Sequence, residues 1–301
     1  MDLKQLEVFT QVVKLNSFSK AAEMVYLSQP TISAHISSLE KELGVQLLIR
    51  STKEVYPTKA GVTLFSYAQN ILSIRDLAIQ SMKGVNTQSK GEISILASSV
   101  PAQYLLPEVL AGFAKRYPNI LVHVYQSNSA EVEKNLDGLK YDFGIIGTGA
   151  SSNKFTQKPF YHDHLVFVYP TQFTLEGEEE REKVMHLLEQ LPFVMREAGS
   201  GTMKTLENYL KTLNLSTQNF RPGAYFNNTQ SVINAVMNGL GVSFVSKKAA
   251  EIYTQMGLVQ SLEVRNASFS RSFMFLLKKE MILSPIQNLF QRYLFDFYKD
   301  H

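Results

Sequence analysis

Residues 19–44, SKAAEMVYLSQPTISAHISSLEKELG, constrain this chain more than any other stretch. A short alanine-bearing helix precedes a tight turn and a longer helix whose polar face carries only small residues and amides. That is the pattern of a helix-turn-helix whose second helix lies in the major groove of DNA. Ile32, Ile36, Leu39 and Leu43 recur at helical spacing and predict one apolar stripe, which leaves Thr31, Ala34, His35 and Ser38 on the opposite face. Ser28 is placed to cap the helix by accepting a first-turn N–H, and Pro30 loses no hydrogen bond there. Upstream, Leu3, Leu6, Phe9 and Val13 have the spacing of a third helix, and Ser19 is expected to cap the second. An ordinary helical hairpin in an unrelated domain shares this local pattern, so the flanking sequence has to decide.

It does so on both sides of residue 58. Residues 45–57 (VQLLIRSTKEVYP) read as a β-hairpin wing with Arg50 and Lys53 near its tip, and Thr58 then caps a long helix. Here the chain resembles the LysR-type transcriptional regulators. The residues that carry the resemblance are Ser17, Phe18, Ser19, Ala21, Ala22, Leu27, Ser28, Gln29, Pro30, Ile32, Ser33, Ile36, Leu39, Glu40, Leu43, Gly44, Leu47, Arg50, Thr58, Ala60 and Gly61. Many members have Arg after the Ser33 position, where this chain has Ala34, so one phosphate or guanine contact common in that family is missing.

The resemblance implies an N-terminal winged helix-turn-helix over 1–58, a linker and dimerisation helix with hinge over 59–90, and an effector-binding domain over 91–301. The last is expected to be α/β, with two Rossmann-like subdomains similar to periplasmic binding proteins: 91–161 with 267–301, and 162–266. In this reading Gln29, Thr31, Ser33 and His35 meet base edges, with Gln29 suited to a bidentate adenine contact. Ser28 and Pro30 open the helix, and Lys20, Arg50, Lys53 and Thr58 hold phosphates or the adjacent minor groove.

The linker supports pairing. Between Thr58 and Val85 there is no proline, and Phe65, Ala68, Leu72, Ile79 and Met82 follow a heptad rhythm interrupted by Arg75. Two copies would bury that seam against each other, giving a homodimer and, by the resemblance, a homotetramer; the same stripe packed on its own chain is the competing reading. Residues 86–91 (NTQSKG) read as the hinge.

Beyond residue 91 short apolar runs alternate with helical segments, as in α/β architecture with mainly parallel sheets. Three strand-end loops are rich in small hydroxyl residues: Ser98 and Ser99, then Gly147, Thr148 and Gly149, then Gly199, Ser200, Gly201 and Thr202 after Arg196. Asn227, Asn228 and Thr229 repeat the arrangement. In an open α/β sheet such loops form the ligand crevice, and free N–H groups at a helix start attract anions. With the family resemblance, Ser98, Ser99, Thr148, Arg196, Ser200, Gly201, Thr202 and Thr229 are candidate contacts for a small effector, expected to be a carboxylate or oxyanion. Arg196 has a second reading as a structural ion-pair residue with Glu197.

Composition removes other classes. The 301 residues contain no cysteine, which rules out disulfides, thiolate metal sites and cysteine nucleophiles. The net charge of +3 lies wholly in residues 1–90, with 10 Lys/Arg against 7 Asp/Glu, while 91–301 hold 20 of each. That placement suits a DNA-binding end, since cation–phosphate contacts supply sequence-independent affinity. No leader-like segment or 18-residue apolar run occurs, so the chain is expected in the cytoplasm and off the membrane. His162 and His164 flank Asp163 without a third ligand, no nucleophile-and-base signature appears, and neither catalysis nor a metal or other cofactor is expected. The expected partners are promoter DNA, a second copy of the chain and RNA polymerase. The alternative is a cytoplasmic solute-binding protein whose helical extension does not bind DNA.

Overall fold

Asp2 starts the first helix as the sequence allows: its carboxylate accepts the Gln5 N–H at 2.7 Å while the Gln5 side chain accepts the Asp2 N–H at 2.9 Å. The structure, a computed structural model, describes residues 1–50, 55–82, 90–136, 140–212, 214–264, 269–279, 281 and 283–299. It divides into two compact units, Met1–Ile93 with Arg116–Leu121 and Glu280–Arg292, and Ser94–Lys115 with Val122–Lys279 and Tyr293–His301.

In the first unit α1 (Leu3–Leu15), α2 (Phe18–Met24) and α3 (Gln29–Leu43) form a three-helix core. Leu6, Phe9 and Val13 are buried there with Val8 and Val12, whereas Leu3, expected inside, is exposed. Ser17, not Ser19, caps α2, because its hydroxyl accepts the Lys20 N–H. Ala21 and Ala22 are buried and let α1 and α3 approach. Ile32, Ile36 and Leu39 have no exposed surface, but Leu43, next to the Gly44 cap, lies outside the core.

The wing is an antiparallel pair, β1 (Leu48–Arg50) and β2 (Val55–Pro57), registered Ile49 opposite Tyr56. Glu40 ties it to α3, its Oε1 accepting the N–H groups of Leu47 at 2.8 Å and Leu48 at 3.1 Å. Thr58 caps α4 (Lys59–Met82) by accepting the Gly61 N–H, and its own hydroxyl donates to Gln46 O at 2.7 Å. The expected seam of α4 divides: Phe65 and Ala68 are buried within the unit, where α4 packs on α1. Val62, Tyr67, Ile71, Ile74 and Ile79 are large apolar side chains of α4 that stay exposed. The hinge positions 86–89 lie outside the described residues.

The chain after α4, most of it in the second unit, follows the α/β order β3 (Gly91–Ser98), a π turn at Pro101–Leu105 leading into α5 (Leu106–Arg116), β4 (Ile120–Ser127), α6 (Ser129–Asn135), β5 (Phe143–Ile146) and β6 (Phe155–Tyr169). Then come α7 (Glu180–Gln190), β7 (Phe193–Arg196), α8 (Gly201–Thr212), β8 (Pro222–Phe226), α9 (Thr229–Met237), β9 (Ser243–Ser246), α10 (Lys247–Gln255), β10 (Gln260–Leu262), β11 (Ser270–Lys278) and α11 (Pro285–Phe297).

Parallel pairing holds for β3 with β5 and β7 with β8, but β11 is antiparallel to β5 and β6, and β6 to β9 and β10. The sheets are therefore mixed, because β6 and β11 run back across them. The first part of β6 pairs with β11 and its second part with β9 and β10, so one strand serves two sheets. Their register slips between Phe273 and Met274, opposite Pro159–Tyr161, where proline cannot continue the ladder.

Along the second part, Leu165, Phe167 and Tyr169 enter one core with Phe193, Leu206 and Phe244, while Val166 and Val168 enter another with Val194, Val232 and Val245. A strand covered on both faces reads as an unbroken apolar run, which is why LVFVY stands out in the sequence.

Candidate functional site

The α3 start is open to solvent, with Ser28, Gln29 and Pro30 exposed and Thr31, Ser33 and His35 half-buried. The Ser28 hydroxyl accepts the Thr31 N–H and lies 2.7 Å from Thr31 Oγ1. Gln29 Oε1 accepts from Ser19 Oγ at 3.2 Å, which orients its amide. Ala34 and Ser38 are exposed, and Ser38 Oγ accepts from Gln5 Nε2 at 3.2 Å. The apolar stripe faces inward, so a rigid polar cylinder end is presented outward, as groove reading requires. Lys20 is exposed on α2. Arg50 ends β1, its backbone opposite Val55; Lys53 lies outside the described residues. Thr58 is half-buried with its hydroxyl engaged in capping.

A second candidate site lies within the other unit, where strand ends and helix starts meet. Ser98 ends β3 and Ser99 follows it, Asn128 and Ser129 open α6, Gly147 follows β5, and Ser200, Gly201 and Thr202 open α8. With Val100, Arg196, Arg271 and Phe273 they enclose a cavity of at most about 220 Å³. Drug-sized sites occupy roughly 300–1,000 Å³, so only a compact molecule fits. Asn128 Oδ1 accepts the Glu131 N–H at 2.9 Å, and Ala130 N donates to Gly199 O at 3.3 Å, fastening the α6 start to the α8 loop. Gly199 adopts φ +86°, and an added Cβ would stand 3.1 Å from Asn128 Oδ1.

Both arginines of the cavity are buried. Arg196 forms the ion pair expected with Glu197, Nε to Oε2 at 2.9 Å and Nη2 to Oε1 at 3.0 Å. It also donates to Thr229 Oγ1 at 2.8 Å and Ser99 Oγ at 2.9 Å, so the ion-pair reading of this residue is met while it still lines the cavity. Arg271 donates from Nε to Asp163 Oδ2 at 2.9 Å and from Nη1 to Thr202 Oγ1 at 3.1 Å, and its guanidinium lies 4.9 Å from the Phe273 ring centroid.

Of the residues expected at the effector site, Ser98, Ser99, Arg196, Ser200, Gly201 and Thr202 line the cavity. Thr229 is fully buried behind Arg196, and Thr148 is half-buried and off the wall. Ser129 and Arg271 were not foreseen. Asn128 followed by Glu131 is a readable capping signal that places the α6 start at Ser129. Asp163 is committed to Arg271 and to Ser246, while His162 meets Ser272 and His164 faces Glu263. Among the described residues no group of three His, Cys, Asp or Glu could hold a metal ion.

Residues 3–62 match the description of the bacterial regulatory helix-turn-helix proteins of the lysR family, and residues 86–298 match the LysR substrate binding domain. The HTH-type transcriptional regulator CysL of Bacillus subtilis (strain 168) is 32% identical over 90% of this chain and 89% of its own. The crystal structure of ArgP from Mycobacterium tuberculosis has the same fold, with a TM-score of 0.71 at 19% identity over 100% of this chain and 98% of that one. Full-length CbnR, solved in complex with the target DNA, superposes with a TM-score of 0.56 at 19% identity over 98% of both chains.

Proposed function

The chain belongs to the LysR family of bacterial transcriptional regulators, and from that premise we propose which residues read DNA and what kind of molecule controls them. It is a DNA-binding regulator with an effector-binding domain, and its relatives are regulators rather than enzymes. A solute-binding protein with an idle helical extension is not favoured, because residues 3–62 match the regulatory helix-turn-helix of the lysR family.

The observation that carries the DNA reading is the outward α3 face with its apolar stripe buried. Gln29, Thr31, Ser33 and His35 meet base edges, and Lys20 with the wing holds phosphates. In a mobility-shift titration on the chain's own upstream region, Gln29→Ala is expected to lose about 1–3 kcal/mol and relax preference at one base pair. A variant that keeps its full sequence preference would remove Gln29 from the reading set.

The exposed α4 residues Val62, Tyr67, Ile71, Ile74 and Ile79 support a homodimer through the linker helix, which would place two reading heads on a palindrome. A homotetramer and contact with RNA polymerase belong to the same reading. Among the described residues no helix is long and apolar enough to cross a membrane, and a cytoplasmic site of action accords with a DNA target. A small anion bound in the Arg196–Arg271 cavity shifts the population toward one arrangement of paired subunits and so alters DNA bending. Sedimentation of Ile71→Glu/Ile74→Glu tests the pairing: the variant is expected to fall to monomers at micromolar concentration, and retention of the dimer would move the interface elsewhere.

A further inference from the structure

Of the two cavity arginines, Arg196 is saturated by its own chain, whereas Arg271 is not. Arg271 Nη2 lies 2.9 Å from Asp163 Oδ2 but is not aligned to donate, and it has no hydrogen-bond partner. The hydroxyls of Ser129 and Ser200 have none either. Ser129 is 7%, Ser200 3% and Arg271 9% exposed, and all three line one cavity. Buried polar groups are nearly always paired, so three unpaired donors around one space mark a place where a ligand completes the bonding.

Taking this cavity as the effector site, as proposed above, we infer that its occupant is a compact oxyanion with three or more charge-bearing oxygens: sulfate, phosphate or a short molecule headed by one. Arg271 Nη2, Ser129 Oγ and Ser200 Oγ come from β11, α6 and the α8 cap, one donor for each oxygen, where a carboxylate offers only two. No carboxylate lines the wall, so nothing there repels an ionised anion. Asp163 stands behind the wall, its oxygens taken by Arg271, Ser246 and the Lys248 N–H. Two bare glycines keep the space open: a Cβ at Gly201 would stand 3.0 Å from Ser129 Oγ, and one at Gly147 would stand 3.4 Å from Arg271 Nη1. The space lies below the range of drug-sized sites, which favours a compact anion.

The test is calorimetric titration and thermal shift of the full chain with sodium sulfate, inorganic phosphate, acetate and oxalate at ionic strength matched with chloride. Sulfate or phosphate is expected to bind and raise Tm, and which of the two does so separates the two sources. Ser129→Ala/Ser200→Ala is expected to keep or raise the unliganded Tm, since it removes two unpaired hydroxyls, while weakening the anion at least tenfold; Arg271→Lys should weaken it similarly. Oxalate or acetate binding that is lost in these variants, without sulfate or phosphate binding, overturns the oxyanion inference and leaves the effector reading standing. Oxyanion binding indifferent to all three substitutions also overturns it, by placing the site elsewhere. No variant-sensitive anion binding at all removes both.

Discussion

Asp163→Ala is expected to cost about 3–5 kcal/mol of stability, because it leaves a buried guanidinium without its counter-charge. The Asp163 side chain is 1% exposed and that of Arg271 4%, and arginine cannot shed its proton to escape. The same carboxylate also holds the Ser246 hydroxyl at 2.9 Å, so the α10 start loses its anchor too. Urea denaturation followed by far-ultraviolet circular dichroism measures this; the chain has no tryptophan to report by fluorescence. Asp163→Leu with Arg271→Met should recover most of the loss, since replacing both charges by apolar groups is often neutral. A single-variant loss below about 1 kcal/mol would mean that water reaches the pair freely and that its burial does not control the site.

Gly61→Ala is expected to abolish most DNA binding while leaving the effector unit folded. An added Cβ would lie well inside 3.0 Å of Leu47 O, a backbone atom already fixed by the Thr58 N–H at 2.9 Å. Neither partner can yield without moving the wing off α4, a strain of about 1–3 kcal/mol. A displaced wing would lose the phosphate contact proposed for it, so a loss of tenfold or more is expected by mobility shift. Gly44→Ala is the control, since its Cβ would meet nothing within 4 Å and only the φ of +68° resists it. That variant should lose about 1–2 kcal/mol of stability and keep its sequence preference. Wild-type DNA affinity in Gly61→Ala would show that the wing's seat on α4 is irrelevant to binding.

The features written in local sequence were legible. Ser28, Pro30 and Gly44 mark both ends of α3, and its apolar stripe tells which face is free. The hydroxyl loops after β3 and β7 announced the cavity, because helix caps and tight turns depend on neighbouring residues. What escaped depends on distant pairing. Arg271 meets Asp163 from 108 residues away, and nothing beside either residue signals the other. The first part of β6, FTQKPFYHDH, is polar on its exposed side and broken by Pro159, so it lacks the alternation that identifies a strand. On α4, spacing predicted a seam but could not say that α1 of the same chain would take Phe65 and Ala68.

The shared strand β6 also makes the regulatory half intolerant of small changes in length. Deleting one residue between Thr156 and His164 would turn every later side chain of the strand over, exchanging Leu165 and Phe167 with Val166 and Val168 between their two cores. Insertions, tags or split-reporter breakpoints placed there should yield insoluble protein. The acidic loop before α7, exposed at Glu178 and Glu179, should accept the same cargo. Changes in chain length are thereby confined to loops, because a strand that feeds two cores cannot gain or lose a residue without exchanging their contents.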